Sequence, residues 1–300
     1  MSIIVICGAT ATGKSGLSIE LAQRLDGEII NADSMQIYKG MDVGTAKLNI
    51  EERSGITHHM LDILDVNQDA TVAWYQEEAR KCVDDIVSRS KTAIIVGGTG
   101  LYIKSILDDL NFPDTDPDVR SALNKEAEDI GAAALFDRLK KLDPAAAIAI
   151  DSLNVRRVIR ALEVIEITGK PFTANLPHKN STRYPHAMQF GLVMDRQLLS
   201  EKISLRVDQM FEQGLINEVD DLLEAGLTQG RTAQRALGYA QVIKYRSGAI
   251  SLDEAIEETK RVTRQYARRQ ETWFSRDARI KWISPIQNRV QVVLNALASK

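Results

Sequence analysis

The feature that most limits how this chain can fold is an eight-residue string beginning at residue 8. It matches the pattern G-x-x-x-x-G-K-[S/T] and consists of Gly8, Ala9, Thr10, Ala11, Thr12, Gly13, Lys14 and Ser15. An apolar run at 3–7 precedes it and a helix-like segment at 16–25 follows it, which is the context of a phosphate-binding P-loop. Backbone N–H groups and the helix N-terminus would surround an anion, Lys14 would add positive charge, and the Ser15 hydroxyl could bind Mg²⁺. The string predicts a site for a di- or triphosphate, as in many ATP-binding proteins.

The apolar pattern of the first hundred residues alternates strand and helix candidates. The strand candidates are 3–7, 28–32, 58–64 and 92–96, and an amphipathic helix is predicted at 71–88 with Thr71 as its cap. Short apolar strands that alternate with helices indicate a parallel sheet covered by helices on both faces.

Beyond this part the pattern changes to helices. Residues 116–168 predict helices only, and the polar segment 175–185 predicts a loop. Strands return at 187–194 and 280–284, with helices predicted between them at 196–213, 215–225, 232–247 and 251–275. We therefore predict an α/β fold with a P-loop NTPase-like parallel sheet core. The first part of the core covers 1–113, a helical insertion domain covers 114–186, and the second part of the core with C-terminal basic helices covers 187–300.

Composition excludes several classes of protein. Hydrophobic residues make up 44% and charged residues 26% of the chain, as in a globular enzyme rather than a disordered protein. The sequence contains no apolar run near the length of a membrane span, and its start lacks the pattern of a secretory signal, so we expect no membrane partner. The two cysteines, Cys7 and Cys82, predict reduced thiols in the cytoplasm.

The charge is unevenly distributed along the chain. The net charge is −3, but residues 260–281 carry eight basic and only two acidic side chains. A polyanionic partner such as a nucleic acid would therefore be bound locally rather than by the molecule as a whole.

The most common activity of P-loop proteins, hydrolysis or transfer of a terminal phosphoryl group, lacks its other motifs here. The string closest to the N-K-x-D motif of GTPases, at 124–127, has no aspartate. The apolar strand 92–96 leads into Gly97-Gly98-Thr99-Gly100 instead of the carboxylate pair typical of motor ATPases.

Several further strings stand out along the chain. They are Asn31-Ala32-Asp33-Ser34-Met35-Gln36-Ile37-Tyr38, Gly97-Gly98-Thr99-Gly100-Leu101-Tyr102, Arg157 with Arg160-Ala161-Leu162-Glu163-Val164, Ala236-Leu237-Gly238-Tyr239, and Thr263-Arg264-Gln265-Tyr266-Ala267-Arg268-Arg269-Gln270 with Trp273-Phe274. Together with the P-loop they resemble the bacterial tRNA dimethylallyltransferase (tRNA isopentenyltransferase) family, and they follow that family's order over nearly the whole chain. The sequence departs from some members at Arg156-Arg157, where those have Gln-Arg.

The resemblance implies an activity that fits the residues. The enzyme would transfer a dimethylallyl group from dimethylallyl diphosphate to the N6 amine of the adenosine 3′-adjacent to the tRNA anticodon. The P-loop and Mg²⁺ would then stabilise the leaving diphosphate. The weakly nucleophilic amine must lose a proton, and Asp33, after the second predicted strand, is placed to act as the general base. The family also implies a cytoplasmic monomer.

The resemblance also assigns roles to individual residues. Asp33, Thr99, Lys14 and Arg206 are the implied catalytic residues, with Arg206 at the diphosphate. The implied contacts to the tRNA anticodon stem-loop are Asp33, Ser34, Met35, Gln36, Thr99, Arg120, Arg156, Arg157, Arg160, Arg235, Gly238, Tyr239, Arg264 and Arg268. An extruded base would be read by the segment 33–36.

Three alternative functions remain open from the residues alone. The first is an adenylate prenyltransferase acting on a free nucleotide, for which the helical insertion and the basic segment 260–281 are unnecessary. The others are a small-molecule P-loop kinase and a nucleotide-switched RNA-binding protein without covalent chemistry.

Overall fold

The computed structural model describes residues 2–175 and 181–299 of the chain. The strands are β1 (Ile3–Gly8), β2 (Gly27–Asn31), β3 (His58–His59), β4 (Thr92–Gly97), β5 (Met188–Leu192) and β6 (Ile280–Ile283). The helices are α1 (Lys14–Arg24), α2 (Val72–Ser88), α3 (Gly100–Leu107), α4 (Pro117–Ile130), α5 (Ala132–Leu142), α6 (Pro144–Ala149), α7 (Val155–Thr168), α8 (Arg196–Glu212), α9 (Leu215–Glu224), α10 (Tyr239–Arg246), α11 (Leu252–Phe274) and α12 (Arg289–Ala298). Short 3₁₀ helices cover Phe172–Asn175 and Ala233–Arg235. The chain divides into two compact units, one formed by Met1–Leu107 with Tyr184–Lys300 and the other by Asp108–Arg183.

The first unit is built on a parallel sheet of the order β3-β2-β4-β1-β5-β6. The central strand β1 pairs with β4 on one side and β5 on the other. The carboxyl ends of β1, β2 and β4 therefore lie side by side, and loops at such an edge form the usual ligand crevice of an open α/β sheet. The predicted α/β fold with a P-loop NTPase-like parallel core is confirmed.

Alternate side chains of the strands supply the two faces of the sheet. Val5 of β1 packs with α2 and α3 in one buried cluster, whereas Ile4 and Ile6 pack with α1 and α12 in another. Burial on both faces explains why β1 and β4 are almost continuously apolar in sequence. The rigid sheet fixes the positions of the loops that follow its strands.

Thr71 is the cap of α2, as predicted, because its hydroxyl accepts a hydrogen bond from the backbone N–H of Trp74. The predicted third strand at 58–64 is wrong beyond its first two residues. Met60 and Asp62 have φ values of 61° and 54°, so the backbone leaves the extended conformation after β3.

The single helix predicted at 232–247 is also wrong. The structure has the 3₁₀ turn Ala233–Arg235, a break at Gly238 with φ of 87°, and then α10 from Tyr239. The amide side chain of Gln241 accepts a hydrogen bond from the Gly238 N–H and caps the new helix.

The second unit is a small helical bundle of α4–α7. Its core includes Leu123, Leu135 and Leu162, which are almost completely buried. Asp143 caps α6 through the Ala146 N–H. The sequence predicted an insertion at 114–186, and residues 176–180 of the predicted loop lie outside the described residues. Within the described ranges no helix is both long and apolar enough to span a membrane.

Candidate active site

The P-loop closes tightly between β1 and α1. Gly8 has φ of 138°, and a Cβ at this position would lie 2.9 Å from the carbonyl oxygen of Leu192 on β5. The Thr12 hydroxyl donates to the Ala9 carbonyl at 2.8 Å, and Lys14 Nζ donates to the same oxygen at 2.7 Å. The turn is thus held by its own side chains, and the lysine lies over the loop where an anion would bind.

A polar cavity of about 280 Å³ opens beside this loop. Its walls come from the P-loop, the ends of β2 and β4, and helix α8. The lining residues are Thr10, Ala11, Gly13, Lys14, Ser15, Gly16, Asn31, Asp33, Gln36, Thr45, Ala46, Val96, Gly97, Gly98 and Arg206. The structure therefore brings Asp33, Gln36 and Arg206 to one site with five of the eight predicted P-loop residues. The other three, Gly8, Ala9 and Thr12, do not line the cavity.

The charges in this cavity interact strongly. Burial lowers the pKa of Lys14 to about 8, against the attraction of Asp33, and the nearby Arg206 guanidinium lowers it further. Burial also lowers the pKa of Arg206, while Asp33 raises it. Arg206 donates to the Thr10 hydroxyl of the P-loop at 3.2 Å. Two cations and one carboxylate leave the site electropositive, which suits a diphosphate.

The residues after β2 form a turn that fixes Asp33. The Asn31 amide accepts from the Asp33 N–H at 3.0 Å and donates to the Asp33 carbonyl at 3.1 Å. Asp33 Oδ1 accepts from the Met35 N–H at 2.9 Å. The Thr99 hydroxyl accepts from the Ser34 N–H at 3.2 Å, so Thr99 adjoins this turn from the end of β4.

The segment after this turn is anchored by Glu218 of α9. Its carboxylate accepts from the backbone N–H groups of residues 42–44 at 2.7–3.1 Å and from the hydroxyl of Tyr239. The Gln36 side-chain nitrogen donates to the Thr45 carbonyl at 3.1 Å. Because a carbonyl can only accept, this bond fixes the orientation of the Gln36 amide.

Sequence reasoning missed several residues of the site. Asn31, Thr45 and Glu218 hold or line the cavity without belonging to a predicted role. The strings that resemble the family contain Asn31 and also Gln270, a buried residue of α11, but the resemblance assigns neither a role. In sequence, Glu218 is only an acidic residue within a predicted helix. The backbone groups bound by Glu218 lie more than 170 residues away in sequence, so only the fold reveals these contacts.

A second, more open groove lies between α8 and α11. Its volume is about 490 Å³. It is lined by Asp195, Arg196, Gln197, Leu199, Ser200, Ile203, Arg264, Ala267, Arg268 and Glu271. Arg264 donates to the Ser204 hydroxyl at 3.2 Å, and Arg268 is exposed. The groove thus combines three arginines with an apolar floor and brings the predicted tRNA contacts Arg264 and Arg268 together.

The other predicted contacts in the first unit occupy different environments. Arg235 is exposed in its 3₁₀ turn, whereas Gly238 and Tyr239 are buried. The Tyr239 hydroxyl donates to Glu218, and burial raises the pKa of this tyrosine well above its usual range. The Tyr239 side chain therefore belongs to the core that supports the segment 42–44.

The four predicted arginines of the second unit fall into two pairs. Arg156 and Arg157 are exposed in the first turn of α7. Arg120 and Arg160 both bind Glu163, which is completely buried. Burial alone would raise the pKa of Glu163, but hydrogen bonds from the two arginines lower it instead.

A metal site built from protein ligands alone is not present among the described residues, since no three His, Cys, Asp or Glu side chains cluster in the way that would hold an ion. Ser15 and Asp33 both line the cavity. Their side chains carry hard oxygen donors, of the kind that Mg²⁺ prefers when substrate phosphates and water complete its coordination.

Comparison with known sequences gives strong matches. A family model described as IPP transferase matches residues 36–277. The tRNA dimethylallyltransferase of Thermobifida fusca (strain YX) is 54% identical over 287 residues, covering 94% of this chain and 89% of that protein. That of Corynebacterium diphtheriae is 48% identical over 295 residues, covering 98% of each.

Solved structures agree with these matches. The tRNA isopentenylpyrophosphate transferase of Bacillus halodurans is 39% identical, has a TM-score of 0.73 and covers 99% of this chain and 96% of that one. A eukaryotic dimethylallyltransferase acting on tRNA is 28% identical, has a TM-score of 0.85 and covers all of this chain and 80% of that one.

Proposed function

The chain belongs to the IPP transferase family, and from this premise we propose how its site performs the reaction. The enzyme modifies tRNA by prenyl transfer from a dimethylallyl donor. The mechanism rests on one observation. Asp33, Arg206 and P-loop residues including Lys14 line the same cavity. We place the new bond at the exocyclic N6 of the adenosine 3′-adjacent to the anticodon.

The P-loop, Gly8 to Ser15, holds the diphosphate of dimethylallyl diphosphate rather than ATP. As the bond between C1 of the prenyl group and the bridging oxygen breaks, negative charge grows on the diphosphate. Lys14, Arg206 and the N–H groups at the start of α1 are fixed before the reaction and stabilise this charge as it develops. Their low exposure strengthens the interaction.

The acceptor side of the reaction depends on Asp33. The N6 nitrogen of adenine forms a bond to C1 of the prenyl group and must lose one proton. Asp33 takes this proton, and the diphosphate leaves with the electrons of the broken C–O bond. Asn31 holds the backbone of Asp33 and the Met35 N–H holds its carboxylate, so little reorganisation is needed at the moment of reaction.

The base reaches this carboxylate after leaving the anticodon loop stack. The segment Asp33–Gln36 and Thr99 form the pocket that receives the extruded adenine. Enzymes that modify a base generally need such a pocket, because the reacting atom is inaccessible while the base is stacked. The fixed amide of Gln36 supplies a polar group of defined orientation at the cavity wall. The hydrogen bond between Thr99 and Ser34 supports the other side.

We propose that Ser15 would hold Mg²⁺ beside the bound diphosphate, with Asp33 close by. The ion would supply positive charge that neutralises part of the charge on the leaving group. The exposed Ser15 at the start of α1 and the few protein donors in the cavity fit an ion that retains substrate and water ligands.

We propose that arginines at the surface bind the tRNA backbone. In the first unit these are the exposed Arg268 and Arg235 and the half-buried Arg264, and in the second unit the exposed Arg156 and Arg157. Arg120 and Arg160 share the buried Glu163, and their remaining N–H groups are the candidates for RNA contact. Gly238 and Tyr239 contribute to tRNA binding indirectly. Tyr239 donates to Glu218, and Glu218 holds the backbone of residues 42–44.

The enzyme acts in the cytoplasm, where its tRNA substrate is found, and we propose that it works as a monomer. A size-exclusion measurement with light scattering would reveal a dimer if this is wrong.

Asp33→Asn provides the test of the mechanism. The amide keeps the size of the side chain but cannot accept the proton, so we expect the single-turnover rate of prenyl transfer to fall by roughly 10²–10⁴-fold. Binding of tRNA, measured by filter retention, should change far less. Asp62→Asn, outside the cavity, serves as the control. A folded Asp33→Asn enzyme with more than about a third of the wild-type rate would remove Asp33 from the chemistry.

A further inference from the structure

Gln270 of α11 connects the two loops that face the reacting groups. Its side chain is only 5% exposed. Its Oε1 accepts from the Thr10 N–H of the P-loop at 2.9 Å, and its Nε2 donates to the Gly98 carbonyl at 2.9 Å. A backbone N–H can only donate and a carbonyl can only accept, so these two bonds fix the amide in one orientation.

The space around this amide is closely fitted. A Cβ at position 98 would lie 2.1 Å from Gln270 Nε2, so glycine is needed there for the side chain to reach the backbone. Gln270 is also removed from direct contact with the cavity, whose lining includes Thr10 and Gly98 but not the glutamine. Its influence on the reaction must therefore pass through the two loops.

One helical turn before Gln270, Tyr266 extends the same connection. Its hydroxyl lies close to the side chains of Gln270 and Thr99, and burial raises its pKa to about 12, so it stays protonated at neutral pH. Thr99 in turn accepts from the Ser34 N–H, next to Asp33. Neighbouring polar side chains of α11 and the 98–99 loop thus lie between the P-loop and the turn that contains Asp33.

We propose that Gln270 is a positioning residue for prenyl transfer, which holds the P-loop and the 98–99 loop at the separation that the reaction requires. The inference rests on the proposed function, since it presupposes a donor at the P-loop and an acceptor beside Asp33. Displacement requires the reacting atoms to approach within about 3–3.5 Å, and a misplacement of about 1 Å costs roughly 10²-fold in rate. The pairing of β1 with β4 ends at Cys7 and Gly97, and Gln270 links the two loops beyond that point.

Substitution of Gln270 separates positioning from binding. Gln270→Leu keeps a similar volume but loses both bonds, and we expect the single-turnover rate at saturating substrate to fall by about 10–100-fold. The dissociation constants for tRNA and for inorganic diphosphate should each change less than about threefold, because the groups that contact them remain. Gln265→Leu, an exposed glutamine on the same helix, is the matched control and should react at the wild-type rate.

Gln270→Glu supplies a second, independent readout. The protonated acid can still accept from Thr10 and donate to Gly98, whereas the carboxylate would face the Gly98 carbonyl oxygen without a proton. The rate of Gln270→Glu relative to wild type at the same pH should therefore rise as the pH is lowered, and Gln270→Leu should show no such recovery. The pH dependence of the Gln270→Glu rate therefore tests the positioning role of Gln270 even if Gln270→Leu does not fold.

Two outcomes would overturn the inference. One is a folded Gln270→Leu enzyme with more than about a third of the wild-type rate, and the other is a loss explained entirely by weaker binding. In both cases the wild-type enzyme still labels tRNA, so the proposed function stands. A wild-type enzyme that fails to transfer the prenyl group to tRNA would overturn the proposed function and this inference with it.

Discussion

At Lys14 the need for a positive charge conflicts with burial. The side chain is partly covered by the P-loop, and burial together with the nearby Arg206 brings its pKa to about 8 despite Asp33. Lys14 is therefore mostly protonated at neutral pH and mostly neutral about one unit above its pKa. A bound diphosphate places negative charge beside Nζ and raises the pKa, so binding takes up a proton around this pH.

This coupling predicts a pH dependence of binding. The affinity for inorganic diphosphate should fall as the pH rises through about 8, by an additional factor approaching about tenfold per unit above it. Lys14→Arg is the matched control, because a guanidinium stays charged over this range and the titration of the ligand affects both proteins equally. Calorimetric titrations across this range measure the difference, and parallel curves for the two proteins would show that Lys14 does not lose its charge there.

Individual residues differ in how far sequence could assign them. Lys14 and Asp33 follow strands at fixed positions in short motifs, so their meeting at one sheet edge could be predicted, and the structure places both in the cavity. Gln270 and Glu218 act on segments more than 170 residues away in the chain. Nothing local in their sequence distinguishes a buried hydrogen-bonding amide or carboxylate from an exposed one.

The helix α11 has one buried face and one face that lines the groove. Ser251 and Glu254 form a capping box at its start, so the predicted helix 251–275 is confirmed to within one residue at each end. Ala255, Ala267 and Phe274 are buried on one side. The side that carries Arg264 and Arg268 lines the groove next to α8. The amphipathic pattern was visible in sequence, but the groove required the position of α8.

The groove leads to a prediction about salt dependence. If Arg264 and Arg268 bind phosphates of the tRNA, each contact releases counterions, and log affinity falls linearly with log salt concentration. Arg264→Ala and Arg268→Ala should each make this slope shallower by just under about one unit. The measurement is tRNA binding over a salt series, with the folding of each variant checked by thermal unfolding.

Arg24→Ala provides the control for a general loss of charge. Arg24 lies on α1 of the same compact unit, where it forms an exposed pair with Glu20. Arg24→Ala changes the net charge by the same amount as each groove variant, but it should leave the slope of log affinity against log salt concentration unchanged. Slopes that stay at the wild-type value in both groove variants would place the RNA-binding surface elsewhere.

The elements that sequence misjudged share a physical cause. The predicted helix 232–247 and the predicted strand 58–64 each continue across a residue whose backbone has positive φ. These residues are Gly238 and Met60. Apolar periodicity reports which side chains are buried, and this signal continues across a turn when the residues on both sides enter the same core. Turn conformation must then be inferred from single residues.

At the scale of the whole molecule, the net charge does not show how unevenly the charged residues are distributed. The net charge is −3, while residues 260–281 are strongly basic. Part of this basic segment is neutralised in the structure, since Lys260 pairs with Asp208 at 2.7 Å and Arg279 with Asp277 at 2.6 Å. Arg264 and Arg268 of this segment line the groove next to α8.

The overall architecture could be predicted because several local signals agree. The P-loop fixes one strand and one helix, and the alternation of apolar strands with helices requires a parallel sheet. The order β3-β2-β4-β1-β5-β6 could not be predicted, because strand neighbours depend on crossovers that leave no mark in local sequence. That order is what places the ends of β1, β2 and β4 around one cavity.

The central claim is that this cavity joins a prenyl donor to an adenosine of tRNA, and a labelled-donor assay tests it most directly. The wild-type enzyme is incubated with labelled dimethylallyl diphosphate and Mg²⁺, together with tRNA, with AMP, or with a tRNA in which guanosine replaces the adenosine 3′ of the anticodon. A parallel reaction contains EDTA in place of Mg²⁺. We expect label only in the unaltered tRNA, at N6 of that adenosine, and none with EDTA. Preferential labelling of AMP, or an unlabelled tRNA, would contradict the account.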